Sequence, residues 1–418
     1  MRIFRAYRTE LDPTPAQKVL LLRHAGAARW AYNWGLEQSR TALAAGLPRP
    51  SAIDLHRRLN ALKRTVYPWL YEVSKCAPQE ALRDLDQAFR KALREPGRGQ
   101  PRFKSRRRGP GGFRLSGPIP VQPRHIRLPR LGRLRLKEVG YLPLNVHVLS
   151  ATVSSRANRW FVSVRVEEDI HPSRPSGDVV GLDVGILVLG TTSEGTRYEN
   201  PRALERVELR LTRLHRALAR TAPGSCRRRR LGDRIRRLHL HAVNVRSDAI
   251  HKMTTQLTRT KAAIVVEDLK VSWMVKHPTL RKALLDAAFG EIRCRLEYKS
   301  AWYGSQLIKA PRFFPSSRRC SRCGAVREDR LKLVERLFRC DACGEVLDRD
   351  INAARNLLHV AVSSTETENG LSSGLLREAA VKQEPGMPRA SAENGGTTSR
   401  LASADMGTLP IAGIDREE

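Results

Sequence analysis

The sequence predicts a chain of the α/β plus all-β class: a small N-terminal β-barrel interrupted by a helical lobe, then an α/β domain with a zinc ribbon inserted in it. Three observations carry this. Strand signals open the chain at 1–11, give way to helical periodicity, and resume only beyond residue 117. Two apolar runs that each hold an acid, DVVGLDVG (178–185) and KAAIVVEDL (261–269), are separated by two amphipathic helical patterns. Two CxxC pairs, Cys320/Cys323 and Cys340/Cys343, stand 16 residues apart, each followed by a glycine.

Length and charge bound the function. A chain of 418 residues is too long for one small core. Lys and Arg number 76 against 42 Asp and Glu, a net charge of +34. A compact body so charged repels itself unless a polyanion neutralises it, which makes nucleic acid the expected partner and a membrane surface the weaker alternative. No run of 18 apolar residues occurs and no signal peptide opens the chain, so a cytoplasmic, nucleoid-associated protein is expected. Cys76, Cys226 and Cys294, outside the knuckles, suit free thiols in a reducing compartment.

In chain order, residues 1–11 interleave apolar residues with Arg as a strand does, and Pro13 and Pro15 end it. Thr14 can cap a helix running to about Ser39, and further helices fit 51–66 and 77–94. The stretch 95–120 is rich in Gly, Pro and Arg and reads as a basic loop; Arg106, Arg107 and Arg108 in it suit phosphate contact, against the plainer reading of a solvated linker. Strands return around Ile126, after Gly132, at 146–148 and at 160–166, so the barrel is expected from 1–11 and 117–170 with the helical lobe at 12–116. The Pro-rich HPSRPSGD (171–178) marks a boundary. After the 178–185 strand come two antiparallel helices joined by a turn holding Arg227, Arg228, Arg229 and Arg230, again candidates for phosphate contact or for a solvated loop. The α/β domain is expected over 178–358 with the ribbon at about 316–346, and a disordered tail over 359–418, rich in Ser, Thr, Gly, Glu and Pro.

Four thiolates from two knuckles close a tetrahedral zinc site with no position left for water, so the ribbon is expected to be structural. Three acids stand apart by their settings: Asp183 within an apolar strand, Glu267 at the end of another, Asp350 just before the Ala-rich helix start Ile351–Ala354. Carboxylates and waters are the ligands Mg²⁺ prefers, and two such ions can hold a phosphodiester between them. Structural carboxylates paired with arginine are the alternative. Asp348 competes with Asp350; lying two residues earlier, it is better placed to cap or brace the ribbon.

These residues carry a resemblance. Trp30–Trp34 (WAYNW), Pro101–Lys104 (PRFK), Gly181–Gly185 (GLDVG), Val266–Leu269 (VEDL), Leu296–Lys299 (LEYK), Trp302–Gly304 (WYG), Phe314–Ser317 (FPSS), the two CxxCG knuckles and Asp348–Asn356 (DRDINAARN) resemble the TnpB family of transposon-encoded RNA-guided nucleases. The resemblance implies an RNase H-like, RuvC-like nuclease domain with Asp183, Glu267 and Asp350 at its metal-binding positions, using Mg²⁺ or Mn²⁺, and a wedge-type barrel with an inserted recognition lobe. It also implies a guide RNA from the transposon end and a double-stranded DNA target beside a short motif. A scaffold that binds without cutting and a strand-joining transposase remain the alternatives. Trp273–Lys276 and Phe289 depart from the family pattern without touching the acids.

Overall fold

Backbone pairing divides the protein, described here from a computed structural model, into an N-terminal unit, Arg2–Asp169, and a C-terminal unit that begins at Ile170. The structure describes residues 1–370 except 96, 98, 107, 108, 110, 145 and 330–334, with side chains to Ala361.

In the N-terminal unit β1 (Arg2–Asp12) leads into α1 (Pro15–Ala44), α2 (Ala52–Leu62), a 3-10 turn (Pro68–Glu72) and α3 (Cys76–Arg94). The starts of α1 and α2 are written in the sequence. Thr14 and Gln17 form one capping box and Ser51 and Asp54 a second, with proline in the first turn of α1, where its missing N–H costs nothing. After the helices come β2 (Gly112–Ser116), β3 (His125–Leu128), β4 (Gly132–Leu136), β5 (Val148–Arg156) and β6 (Arg159–Asp169). β2 is a strand within the stretch read as a basic loop; Phe113 and Leu115 are buried, and the Gly/Pro/Arg composition around them masks the alternation. β5 and β6 turn tightly at Ala157 and Asn158, both with positive φ (51° and 62°), the hand that suits a two-residue hairpin.

The six strands pair antiparallel in the order β2-β5-β6-β1-β4-β3. The small barrel expected from 1–11 and 117–170 is seen as one six-stranded sheet in which, among the described residues, β2 and β3 each pair on one side only. Along β6 alternation puts Trp160, Val162, Val164 and Val166 inward, onto the core that α1–α3 share through Leu21, Leu36, Leu55, Leu82 and Leu85.

The C-terminal unit is mixed α/β. Its elements are β7 (Gly177–Asp183), β8 (Val188–Thr192), β9 (Arg197–Glu199), α4 (Ala203–Ala219), α5 (Cys226–Thr260), β10 (Lys261–Glu267), the short α6 (Val271–Met274), α7 (Arg281–Ala287), α8 (Phe289–Tyr303), β11 (Gln306–Ala310), β12 (Leu337–Arg339), β13 (Val346–Asp348) and α9 (Arg349–Gly370). The sheet order is β11-β10-β7-β8-β9, with β7, β10 and β11 parallel and β8 and β9 added as an antiparallel meander.

Residue parity assigns the sheet's two faces. Val180, Leu182, Ile264 and Val266 face α5, α7 and α8. Val179, Val265 and Ile308 face α9, where Leu357 and Ala361 are buried. On the first face α8 is tied to α5 by polar groups. Lys299, almost fully buried, donates to the His251 carbonyl and to the Thr254 and Thr255 hydroxyls (2.9, 2.8 and 2.7 Å), and Arg295 reaches Ser247. Burial, with Arg295 nearby, pulls the Lys299 ammonium down to about 8. Asp286 accepts the Leu204 N–H at the start of α4 and pairs with Arg246 at 3.2 Å.

On the other face α9 lies against β7 so closely that a Cβ on Gly181 would sit 1.9 Å from the Ala354 carbonyl oxygen. The helix also runs on to Gly370, into the segment expected to be unstructured from 359, because Val360 and Ala361 extend its buried stripe; 371–418 lie outside the described residues.

Two glycine substitutions test this packing. Gly181→Ala forces backbone apart and should destabilise by about 3 kcal/mol, a Tm loss of roughly 6–12 °C by calorimetry. Gly26→Ala, in α1 with nothing within 4 Å of the added methyl, should instead stabilise by about 1 kcal/mol.

Candidate functional site

β7 and β10 are parallel neighbours with Leu182 opposite Val266, so the next residues, Asp183 and Glu267, leave the same end of the sheet side by side. Both have the parity of the α9 face. From the Gly181–Ala354 contact, two residues along a strand cover about 6.6 Å and four residues back along a helix about 6 Å. Those steps reach Asp183 and Asp350, which therefore arrive at one level. The three acids scattered over the sequence converge.

Their electrostatics agree with the geometry. Burial first, then the charges of Glu267 and Asp350, hold the Asp183 carboxyl well above the usual carboxylate range, Arg349 offsetting part of the effect. Burial also raises Glu267, against the opposing hydrogen bond from the Ser316 hydroxyl. Among the described residues neither Asp183 nor Glu267 makes an ion pair; Asp350 lies 3.7 Å from Arg336. Two acids without an ion pair beside a third that has one at 3.7 Å form an oxygen donor set that fits a divalent metal. The neighbouring Asp268 is occupied otherwise, gripped by Arg312 at 3.1 and 2.7 Å.

Asp348 and Asp350 have different work. Asp348 Oδ1 accepts the N–H groups of Asp350 and Ile351 (3.0 and 3.2 Å), capping α9, while Oδ2 takes the Arg197 guanidinium at 2.7 Å.

The ribbon delivers this cap. Its hairpin β12–β13 ends on Asp348, and α9 begins at the next residue. Each knuckle is closed by a glycine N–H on the first cysteine's carbonyl, Gly324 to Cys320 and Gly344 to Cys340, both at 3.0 Å and with φ of 78° and 72°. The four Sγ atoms lie within 4.8 Å of one another, Cys320–Cys343 at 3.7 Å and Cys323–Cys340 at 3.5 Å. A tetrahedral ion with 2.3 Å metal–sulfur bonds needs edges of about 3.8 Å, so this cluster could bind zinc. Backbone N–H groups, Cys343's foremost, bring the Cys340 thiol down to about 7. Among the described residues the cysteines are the one group gathered this tightly as metal ligands.

Sequence reasoning passed over Asn352 and Asn356. Both are almost wholly buried, one turn apart on α9. Both donate to the Arg319 carbonyl (2.8 and 2.6 Å); Asn352 also accepts from Ser321 N–H, and Asn356 donates to the Ser316 carbonyl. They clamp the first knuckle to the helix and hold Ser316 where it meets Glu267. Their i, i+4 spacing in an otherwise apolar stripe was the available signal.

The arginines divide. Arg106 is exposed in the N-terminal unit, and Arg107 and Arg108 lie outside the described residues. Arg227, Arg229 and Arg230 are exposed at the start of α5. Arg228 is not: its guanidinium donates to the Leu218 and Thr221 carbonyls (2.9 and 2.8 Å) and closes the end of α4. None of the described helices is long and apolar enough to cross a membrane.

Sheet, crossing helix and knuckles define a mixed α/β protein in which a four-cysteine ribbon feeds a buried carboxylate cluster. Three family models match: one described as "Probable transposase" over 161–277, a "Cas12f1-like, TNB domain" over 289–357 and a "Helix-turn-helix domain" over 1–47. Residues 2–44 are here one strand and one long helix. A protein of Streptomyces pristinaespiralis named "Putative RNA-guided DNA endonuclease" is 35% identical over 93% of this chain and 99% of its own length. One of Escherichia coli K12, "Putative RNA-guided DNA endonuclease InsQ", is 31% identical over 86% and 92%. The fold is similar to that of the protein in a Cas12f1–sgRNA–target DNA complex (TM-score 0.50, 12% identity, 86% of this chain and 98% of that one). The chain belongs to the TnpB family.

Two measurements follow. Cys320→Ser should lose bound zinc by elemental analysis and lower Tm, whereas Cys226→Ser should do neither. Asp183 holds its proton more tightly folded than unfolded, so the divalent-free protein should lose stability as pH rises through the ordinary carboxylate range towards the raised value. Asp183→Asn should flatten that profile and raise the divalent-free Tm at neutral pH by about 2–4 °C.

Proposed function

We propose that this protein is an RNA-guided DNA endonuclease whose C-terminal unit is an RNase H-like, RuvC-like nuclease domain. In this reading Asp183, Glu267 and Asp350 hold two Mg²⁺ or Mn²⁺ ions, and Cys320, Cys323, Cys340 and Cys343 hold structural zinc. The observation that carries it is the convergence of three carboxylates at one end of the sheet, two of them without ion pairs. The sheet, three parallel strands plus an antiparallel meander crossed by one helix, supports the domain assignment. The relatives' names support the activity.

Divalent ions at such a site supply charge that stabilises both the attacking and the leaving oxygen of an in-line phosphodiester displacement. The chain's own residues supply position. Ser316 fixes one oxygen of Glu267, the Asp348 cap sets the first turn of α9, and the 181–354 contact holds that turn over β7. A guide RNA from the transposon end reads the DNA target by base pairing, and the protein reads a short adjacent motif. Arg106, Arg107, Arg108, Arg227, Arg229 and Arg230 meet phosphates without sequence choice; Arg228 serves the helix turn instead. The strand-transfer alternative draws on the matching model's description as a transposase.

Sequencing the RNA that co-purifies with the protein and assaying guided cleavage of duplex DNA tests this. Asp183→Ala, Glu267→Ala and Asp350→Ala should each reduce cleavage by about 10²–10³-fold or more with RNA retention within about twofold. Undiminished cleavage in these variants overturns the site; strand-transfer products in place of hydrolysis move the reading to a transposase.

A further inference from the structure

One segment beside the carboxylates has an expensive conformation that packing does not explain. β11 ends at Ala310, which lies in register with Glu267, and Ser316, six residues on, donates to the Glu267 carboxylate. Both ends of the loop 311–315 are thus anchored at the same acid. Within it Pro311 to Phe314 make a tight turn closed by the Phe314 N–H on the Pro311 carbonyl at 3.1 Å. The third residue of that turn is Phe313, with φ of 69°, where glycine or asparagine is the ordinary choice. The residue is 93% exposed, although Phe314 beside it packs, partly buried, against the core under α9. The turn is tethered on both sides of Phe313, by Arg312 to Asp268 through two nitrogens and by Phe314 packed against the core. An apolar ring is therefore presented to solvent at the rim of the acid cluster, in a backbone conformation that disfavours it.

A second exposed ring follows the neighbouring strand. β10 and β11 are parallel neighbours, and the connection that leaves β10 after Glu267 carries Trp273 in the short α6, 69% exposed, between Lys270 and Lys276. Two connections leaving the same end of the sheet each carry one exposed aromatic residue, one of them between lysines. Planar rings beside positive charge are the surface on which unpaired bases stack, because every base offers a π-face regardless of sequence.

We propose that Phe313, assisted by Trp273, is a stacking platform for an unpaired base of single-stranded DNA being led to the carboxylates, and so a positioning residue. The occupant is a single strand, because a paired and stacked base has no free face to offer. The proposal rests on the reading of the acid cluster as a DNA-cleaving site, but stacking can be measured without cleavage.

The test uses the full-length protein in EDTA with single-stranded oligonucleotides carrying 2-aminopurine, as DNA and as RNA. Phe313→Ala and Phe313→Gly should weaken DNA binding about tenfold and lose a measurable part of the fluorescence quenching, while Phe313→Tyr and Phe313→Trp retain both. Phe313→Gly should also keep or raise Tm, because glycine suits the left-handed turn position, so lost binding in that variant is not lost folding. Unchanged DNA affinity and quenching in Phe313→Gly overturns the proposal, as does a loss confined to the RNA oligonucleotide. A protein that shows the Phe313-dependent stacking but cuts no guided target refutes the nuclease reading and leaves the platform standing.

Discussion

The approach of α9 to β7 at Gly181 is the contact on which the rest of the C-terminal unit depends. A helix backbone can come that near a strand only where no side chain intervenes, and Gly181 leaves the Ala354 carbonyl that room. Because strand residues alternate, the residue two beyond Gly181 points to the same face, and that residue is Asp183. Because a helical turn and two strand residues have nearly equal rises, the residue one turn before Ala354 comes level with it. A side chain at position 181 would lift the helix and with it Asp350, so the position of the third acid is set by the absence of a side chain on the first strand.

The ribbon is joined to this arrangement by more than chain continuity. Its last strand supplies the cap of α9, and its first knuckle is clamped to the same helix by Asn352 and Asn356. The Asn356 bond to the Ser316 carbonyl then passes the constraint to the group that holds Glu267. Each of these bonds is worth about 1 kcal/mol net, but leaving a buried amide unsatisfied costs more, so the clamp closes fully or opens fully. The tightly gathered thiols and the oxygen cluster are therefore parts of one construction, in which the first fixes the frame of the second.

Much of this was legible in the sequence, for a physical reason in each case. Cysteine spacing reports ligand geometry directly, and the caps at Thr14 and Ser51 are local. Acids inside apolar runs announce their own cost. Non-local matters were hidden. That β2 and β3 each pair on one side only, at opposite ends of the strand order, follows from long-range pairing, which no window of residues encodes. Arg228 looked like its three neighbours in a run of charge, yet it alone faces the open carbonyls at the end of α4. Composition misled at 359, where a helix already begun at Arg349 continues while Val360 and Ala361 still find apolar partners.

Two sites that break local rules meet at Glu267 and its neighbours. Asp183 is buried among like charges, and Phe313 holds its ring in water on a left-handed backbone beside Glu267. Nearby charges in the same unit are met: Lys299 by three oxygens, Asp286 by Arg246 and a helix N–H, and the half-buried Asp268 by Arg312. These three charges are compensated where they sit, whereas Asp183 and Glu267 have no ion pair among the described residues, and a cost of that kind is kept for a reason outside stability. Uncompensated carboxylates call for cations, and a bare ring calls for another planar group. The metal-dependent nucleic-acid site proposed above would supply both.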